Sequence, residues 1–190
     1  MVGKIFITSS GYDPERGKSV KDPFLGNPPS LGACRPDIRR QLDKGDHIFV
    51  ISGKVPGVEQ FIMGGFEIDY KIDASEAYRL FPEQRLSRDR DGQVSGNVIV
   101  DSRGNQHRLD NHSSFARRVP NYVVGKDVIA LATPREITRG REETLDILRE
   151  ILKRGGSSPW QIVGRWGTRL REDQVLDLRE WLSSIKKQSA

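Results

Sequence analysis

The sequence is poor in sulfur and in imidazole. It has one cysteine, two methionines and three histidines in 190 residues. A lone thiol, Cys34, can neither close an internal disulfide nor supply a multi-cysteine zinc site. No apolar run approaches the roughly 18 residues of a membrane span. The opening stretch, "MVGKIFITSSG", has too short an apolar core for a signal peptide and reads as a first strand. These absences lead to the expectation of a cytoplasmic protein with no membrane partner. Repeats and low-complexity tracts are lacking too, as are the Walker pattern, the dinucleotide fingerprint and the serine elbow.

What is present is charge. Hydrophobic residues make up 35% and charged residues 30%, a polar balance that still permits a folded core. Lysine and arginine number 31 against 26 acidic residues, a net charge of +5, and the sequence pI is about 9.5. Arginine forks match phosphate geometry, and a basic surface favours nucleic acid through counterion release. The alternative is a basic protein that is merely soluble.

Residues 4–9 alternate and are β-branched or aromatic, which predicts a strand. Residues 10–31 hold four prolines and three glycines and predict a long loop. A short helix is expected over 33–43, with Ile38 and Leu42 on one face and Pro36 in its first turn. Gly45–Asp46 turns into a strand over 47–52. A second strand is expected over 61–72, where Gly64 and Gly65 suggest a bulge or a close backbone approach. A short helix or extended arm follows over 74–80, and 85–92 is turn-like. A hairpin is expected from 98–101 and 107–109 about Gly104–Asn105, with short strands at 122–125 and 128–132. Helical periodicity marks 142–154, capped by Gly155–Gly156, and 171–187. The expected fold class is α+β: a curved antiparallel sheet or small β-barrel with flanking helices and a C-terminal helical pair. The expected division is a β domain over 1–135 with a helical extension over 136–190 packed on it as one compact unit.

The run "LGACRPDIRRQLDKGDHIFVISGK" followed by "FIMGGFEIDYKI" resembles the PUA-like superfamily. It is most similar to the nucleotide-modification-associated domains of that group, with EVE, ASCH and YTH domains as more distant relatives. The resemblance covers residues 4–72. It implies a small β-barrel that receives a nucleobase, often a modified one, extruded from DNA or RNA, and it does not imply catalysis; no cofactor is expected. A flipped base needs an apolar wall, polar groups that read its edge, and cations outside for the phosphates. On that reading Ser9, Ser10 and Tyr12 at the end of the first strand would face Ser52, Gly53 and Lys54 at the end of the next. The plainer reading makes Ser52–Lys54 a strand-ending turn.

Arg35 and Arg39 share a helical face at i, i+4. With Arg40, Arg117 and Arg118 they are candidate phosphate contacts, and Arg135, Arg139 and Arg141 form a further set. The alternative is a solvated face, with Asp43 pairing Arg39. Trp160 and Trp166 lie between the last two helices near Arg165 and Arg169. Exposed, they would stack on bases; the expectation is that they are buried and fill the gap between helices and sheet. Trp181 is expected in the core.

"HRLDNH" offers His107, Asp110 and His112, a weak metal pattern without cysteine or helix to fix its spacing. Cys34 reads as a buried thiol rather than a nucleophile. Asp46 with Asp69 and Lys71 copies the acid, acid-x-lysine spacing of metal-dependent nucleases, but Asp46 sits in a turn signal. No catalytic residue and no metal are assigned. The sequence therefore leads to a nucleic-acid-binding module for a modified base in DNA or RNA, in a defence or nucleic-acid-modification setting. A metal-dependent nuclease or other enzyme acting on modified nucleic acid, and a non-enzymatic basic protein-interaction domain, are the alternatives.

Overall fold

The computed structural model describes residues 1–11, 13–14, 20–88, 90 and 92–189, with backbone alone at Ser10 and Ser189. The chain forms two compact units, each discontinuous in sequence. One takes residues 1–20, 45–67 and 127–190; the other takes 21–44 and 68–126. This interleaving differs from a single division at residue 135. The C-terminal helices belong to the same unit as the first strand. Six of the strands form one open sheet.

In the first unit, β1 (Gly3–Gly11) and β3 (His47–Gly53) run parallel, from Gly3 opposite His47 to Ile7 opposite Ile51. Every residue of β3 is buried, so its sequence is a continuous apolar run rather than an alternation. A parallel pair needs a long crossover. Here residues 12–46 supply it, carrying β2 (Ser30–Leu31) and α1 (Pro36–Gln41). β4 (Ile62–Ile72) returns antiparallel to β3. It bulges at Met63, where Val50 faces Gly64 but Ile51 faces Ile62. The expected close approach is also there: a Cβ on Gly64 would lie 2.3 Å from the Ile129 carbonyl oxygen.

The second unit holds β2 and α1, then α2 (Ala74–Leu80), a 3-10 turn over Pro82–Gln84, and a small antiparallel pair, β5 (Ser87–Arg88) with β6 (Val94–Ser95). α3 (Phe115–Arg118) follows, and β7 (Tyr122–Ala130) pairs its first residues antiparallel with β2. Ala33, Ala77, Val98, Val100 and Tyr122 lie in this unit's core. α2 starts at Asp73, whose carboxylate accepts from the Ser75 and Glu76 amides. The expected hairpin over 98–109 does not form. A single bridge joins Val100 and Gln106, and the Asp101 carboxylate folds the intervening loop by accepting from the Arg103 and Asn105 amides. The two short strands expected after residue 122 are one strand.

α4 (Pro134–Leu152) begins eight residues earlier than the apolar periodicity indicated. Thr133 accepts from the Glu136 amide while the Glu136 carboxylate accepts from the Thr133 amide, a capping box with Pro134 in the first turn. The helix stops at Lys153, in a left-handed conformation at φ 52°, so Gly155–Gly156 is not the cap. α5 (Pro159–Val163) and β8 (Thr168–Leu170) follow, and β8 pairs antiparallel with the outer edge of β1. α6 (Glu172–Ser189) buries Val175, Leu178, Leu182 and Ile185. Trp181 is buried as expected, its indole N–H donating to Glu143 at 2.9 Å.

The strand order is β2-β7-β4-β3-β1-β8. The expected α+β class holds, and the sheet is mostly antiparallel. It differs from expectation in the parallel β1–β3 pair and in not closing into a barrel. No helix among the described residues is long and apolar enough to cross a membrane.

Candidate functional site

The parallel pairing of β1 and β3 brings their C-terminal ends together, with Gly11 opposite Gly53. Between Ile7 and Gly11, β1 advances four residues while β3 advances two, so β1 bulges there. Ser9 lies in the bulge and is exposed. Tyr12 lies outside the described residues, and so does the side chain of Ser10.

Beyond β3 the chain makes a tight turn. The Val58 amide donates to the Val55 carbonyl at 3.1 Å, with Pro56 and Gly57 at its centre and Gly57 at φ 73°. Proline then glycine is the sequence a type II turn requires. Ser52 anchors the base of this loop. Its hydroxyl accepts from the Phe61 amide at 3.0 Å and its carbonyl accepts from the Gln60 side chain at 2.7 Å. It is 2% exposed, so it shapes the loop rather than reading a base. Gly53 is buried in the β1–β3 ladder, whereas Lys54 is exposed.

This loop forms one wall of a cleft of about 650 Å³. Lys54, Val55 and Gln60 line it together with Ile7 of β1 and with Pro159 and Trp160 of α5. Trp160 is 58% exposed and Trp166 is 68% exposed, which overturns the expectation that they fill an internal gap. The cleft thus offers an aromatic face, aliphatic walls, one cation in Lys54 and one acid in Glu59.

The expected phosphate contacts divide sharply. Arg39 is fully buried. Its guanidinium donates to the carbonyls of Cys34, Arg118, Pro120 and Asn121 at 3.1 to 3.3 Å. Arg118 is also buried and forks onto the Asp110 carboxylate. Neither can reach a phosphate; both hold the second unit together. Arg35 forks onto Asp37, at 2.7 Å for its shorter bond. Arg40 and Arg117 are exposed. Of the further set, Arg139 pairs with Glu143 and Arg141 with Asp13, while Arg135 is exposed. Counted by unit, the second carries 15 basic and 11 acidic residues and the first 16 and 15, so the excess positive charge lies in the second.

The motif that drew attention in the sequence, "LGACRPDIRR", is built around a buried carboxylate. Asp22 accepts from the backbone amides of Gly32, Ala33 and Cys34 and from the Asn97 side chain. Burial pushes its carboxyl above the usual range, against those hydrogen bonds and the nearby Arg39 charge. Asn97 also donates to Ser30, and the Tyr122 hydroxyl lies 2.6 Å from the Asn97 amide oxygen. Burial, with Asp22 adjacent, pushes the Cys34 thiol up to about 12, which leaves it unreactive at neutral pH. Sequence reasoning missed Asp22 because its partners lie up to 75 residues away.

The two metal patterns are engaged elsewhere. Asp110 takes Arg118 and His112; burial pushes its carboxyl up, but those donors hold it below the usual carboxylate range. Asp46 accepts from the Val2 amide, Lys71 pairs with Asp43, and Asp69 lies 3.4 Å from Lys44. Among the described residues no three metal-ligating side chains converge.

No family model, no curated protein and no solved structure matches this chain.

Proposed function

We propose that the protein is a PUA-like nucleic-acid-binding module of the cytoplasm, and that the cleft beside Lys54 and Trp160 receives a nucleobase, in particular a modified one. The observation that carries this reading is the cleft itself. It opens where the ends of β1 and β3 converge, and it joins a half-exposed indole face to a lysine. An aromatic plate with a nearby cation is the minimum that base capture from a strand requires. Extrusion costs a few kcal/mol for a paired base and less for an altered one, which favours selectivity for modified or unpaired bases. The site residues on this reading are Lys54, Gln60 and Trp160, with Ser52 as the loop anchor.

The nuclease alternative has little to support it, because Asp46, Asp69 and Lys71 each take other partners. The test is fluorescence anisotropy with oligonucleotides that carry one methylated, hydroxymethylated or unmodified base. The expected result is preference for one modified base, lost in Trp160→Ala and weakened in Lys54→Ala. Equal binding of every base by the wild type, or a preference that survives Trp160→Ala, overturns the assignment of the cleft.

A further inference from the structure

On the reading proposed above the cleft takes one base; a second exposed indole, Trp166, lies nearby in the chain. Residues 154–171, "RGGSSPWQIVGRWGTRLR", contain two tryptophans and four arginines and no acidic residue, in a chain with 26 acids. Two of those arginines are occupied. Arg154 donates to the Ile162 carbonyl and the Thr168 hydroxyl, and Arg171 pairs with Asp173. Arg165 and Arg169 are both exposed.

Trp166 is presented on a rigid turn. The Gly164 amide donates to the Trp160 carbonyl at 2.8 Å, which ties the turn to the end of α5. The Gly167 amide reaches back to the Gly164 carbonyl at 3.2 Å. Both glycines have positive φ, 77° and 75°. A Cβ on Gly167 would lie 2.5 Å from the Ile5 carbonyl oxygen, so the turn is seated directly on β1. The Arg165 guanidinium lies over the Trp166 ring, 5.2 Å from its centre. Three residues further on, Arg169 of β8 faces Lys4 of β1 across the ladder, which puts two cationic side chains on one face.

A solvent-facing indole costs free energy of hydration, and a fixed loop removes the entropy that would otherwise have to be lost on binding. Clustering like charge on the same segment attracts a polyanion and repels a basic partner. Bases stack on any aromatic face regardless of sequence, while cations beside it neutralise the phosphates.

We propose that the turn Gly164–Gly167, with Arg169, is a stacking platform for single-stranded nucleic acid. Trp166 takes an unpaired base and Arg165 and Arg169 take the adjoining phosphates. The inference rests on the nucleic-acid reading of the cleft and extends it to the kind of strand bound.

The test uses the full chain and fluorescein-labelled oligothymidylate and oligouridylate of about 12 nucleotides, with a duplex of equal length as comparison. Single strands are expected to bind more tightly than the duplex. Trp166→Ala should weaken single-strand binding by about 5- to 150-fold for both probes. It should leave the preference for a modified base unchanged. Arg165→Ala with Arg169→Ala should lower the salt slope of binding by about 1.4, the value for two phosphates on a single strand. Because the turn could be disturbed, Trp166→Phe is the control and should retain most of the affinity.

Single-strand affinity unchanged in Trp166→Ala, or a duplex bound as tightly as a single strand, overturns the platform. So does sedimentation showing self-association that Trp166→Ala abolishes, since the indole would then serve a second copy of the chain. If Trp166→Ala weakens oligothymidylate while Trp160→Ala leaves base preference intact, the platform stands and the cleft assignment falls.

Discussion

Replacing Arg39 separates a structural cation from a ligand-binding one. A phosphate contact can be removed with loss of affinity alone. Arg39 cannot, because its guanidinium is enclosed and donates to four backbone carbonyls of the second unit. Arg39→Ala strands the Arg118, Pro120 and Asn121 carbonyls and takes away the charge that offsets the buried Asp22 carboxylate. Each stranded buried acceptor costs about 1–3 kcal/mol. These terms overlap, because the same guanidinium serves all of them. The net expectation is a loss of about 3–5 kcal/mol, a large share of the roughly 5–15 kcal/mol that stabilises a typical domain. Arg39→Lys keeps the charge but not the planar fork, and should recover only part of the loss. Arg40→Ala, at the exposed neighbouring position, should stay within about 0.5 kcal/mol of wild type. Urea unfolding followed by far-ultraviolet circular dichroism measures all three. An Arg39→Ala protein as stable as wild type, with a reduced salt slope for oligonucleotide binding, would refute the structural role and restore Arg39 as a phosphate ligand.

Cys34 should alkylate far more slowly in the native protein than in urea at pH 8, because burial keeps its thiol protonated up to about 12; equal iodoacetamide rates would contradict that burial. His47 is buried against Phe49, and burial, then the Arg179 charge, hold its imidazole below its usual value, opposed by Glu67 and Asp46. A histidine with a depressed folded pKa binds its proton more readily when unfolded. Stability should therefore be fully present above about pH 6.5 and fall as pH drops below it, by at most about 1.4 kcal/mol per pH unit from this residue. His47→Asn should flatten that dependence of the urea midpoint, and an unchanged slope would show that His47 does not carry it.

Strands β1, β3 and β4 and helix α6 were legible in the sequence from their apolar patterns, and α1 from Pro36 with Ile38 and Leu42 on one face. The pairing direction was not, since "KIFITS" and "HIFVIS" pair equally well either way and only the crossover decides. The start of α4 was marked by "TPRE", a cap, a proline and a capping glutamate. Apolar periodicity alone overlooked it, because that first stretch is rich in arginine and contains Gly140. That glycine sits where a Cβ would lie 2.7 Å from the Leu131 side chain. The meeting of the β1 and β3 ends was expected only through the family resemblance. The fates of Arg39, Arg118, Trp160 and Trp166 were not legible, since an arginine enters a core only when distant carbonyls arrange themselves around it. Likewise, whether a tryptophan faces water depends on the turn that carries it.

The position of β8 bears on synthesis at the ribosome. β1 is made first and can pair with β3 once residue 53 has emerged, but its other edge is completed by Thr168–Leu170. Gly3 packs against Val175, so that face also waits for α6. The second unit draws only on residues 21–126, all of which exist long before then. For much of translation the nascent chain therefore carries a finished inner segment between the parts of an unfinished outer one. An unpaired strand edge in that interval invites association with other chains. Slowing elongation between residues 126 and 168 should raise the amount of chaperone-bound nascent protein, and an unchanged amount would refute this order of events.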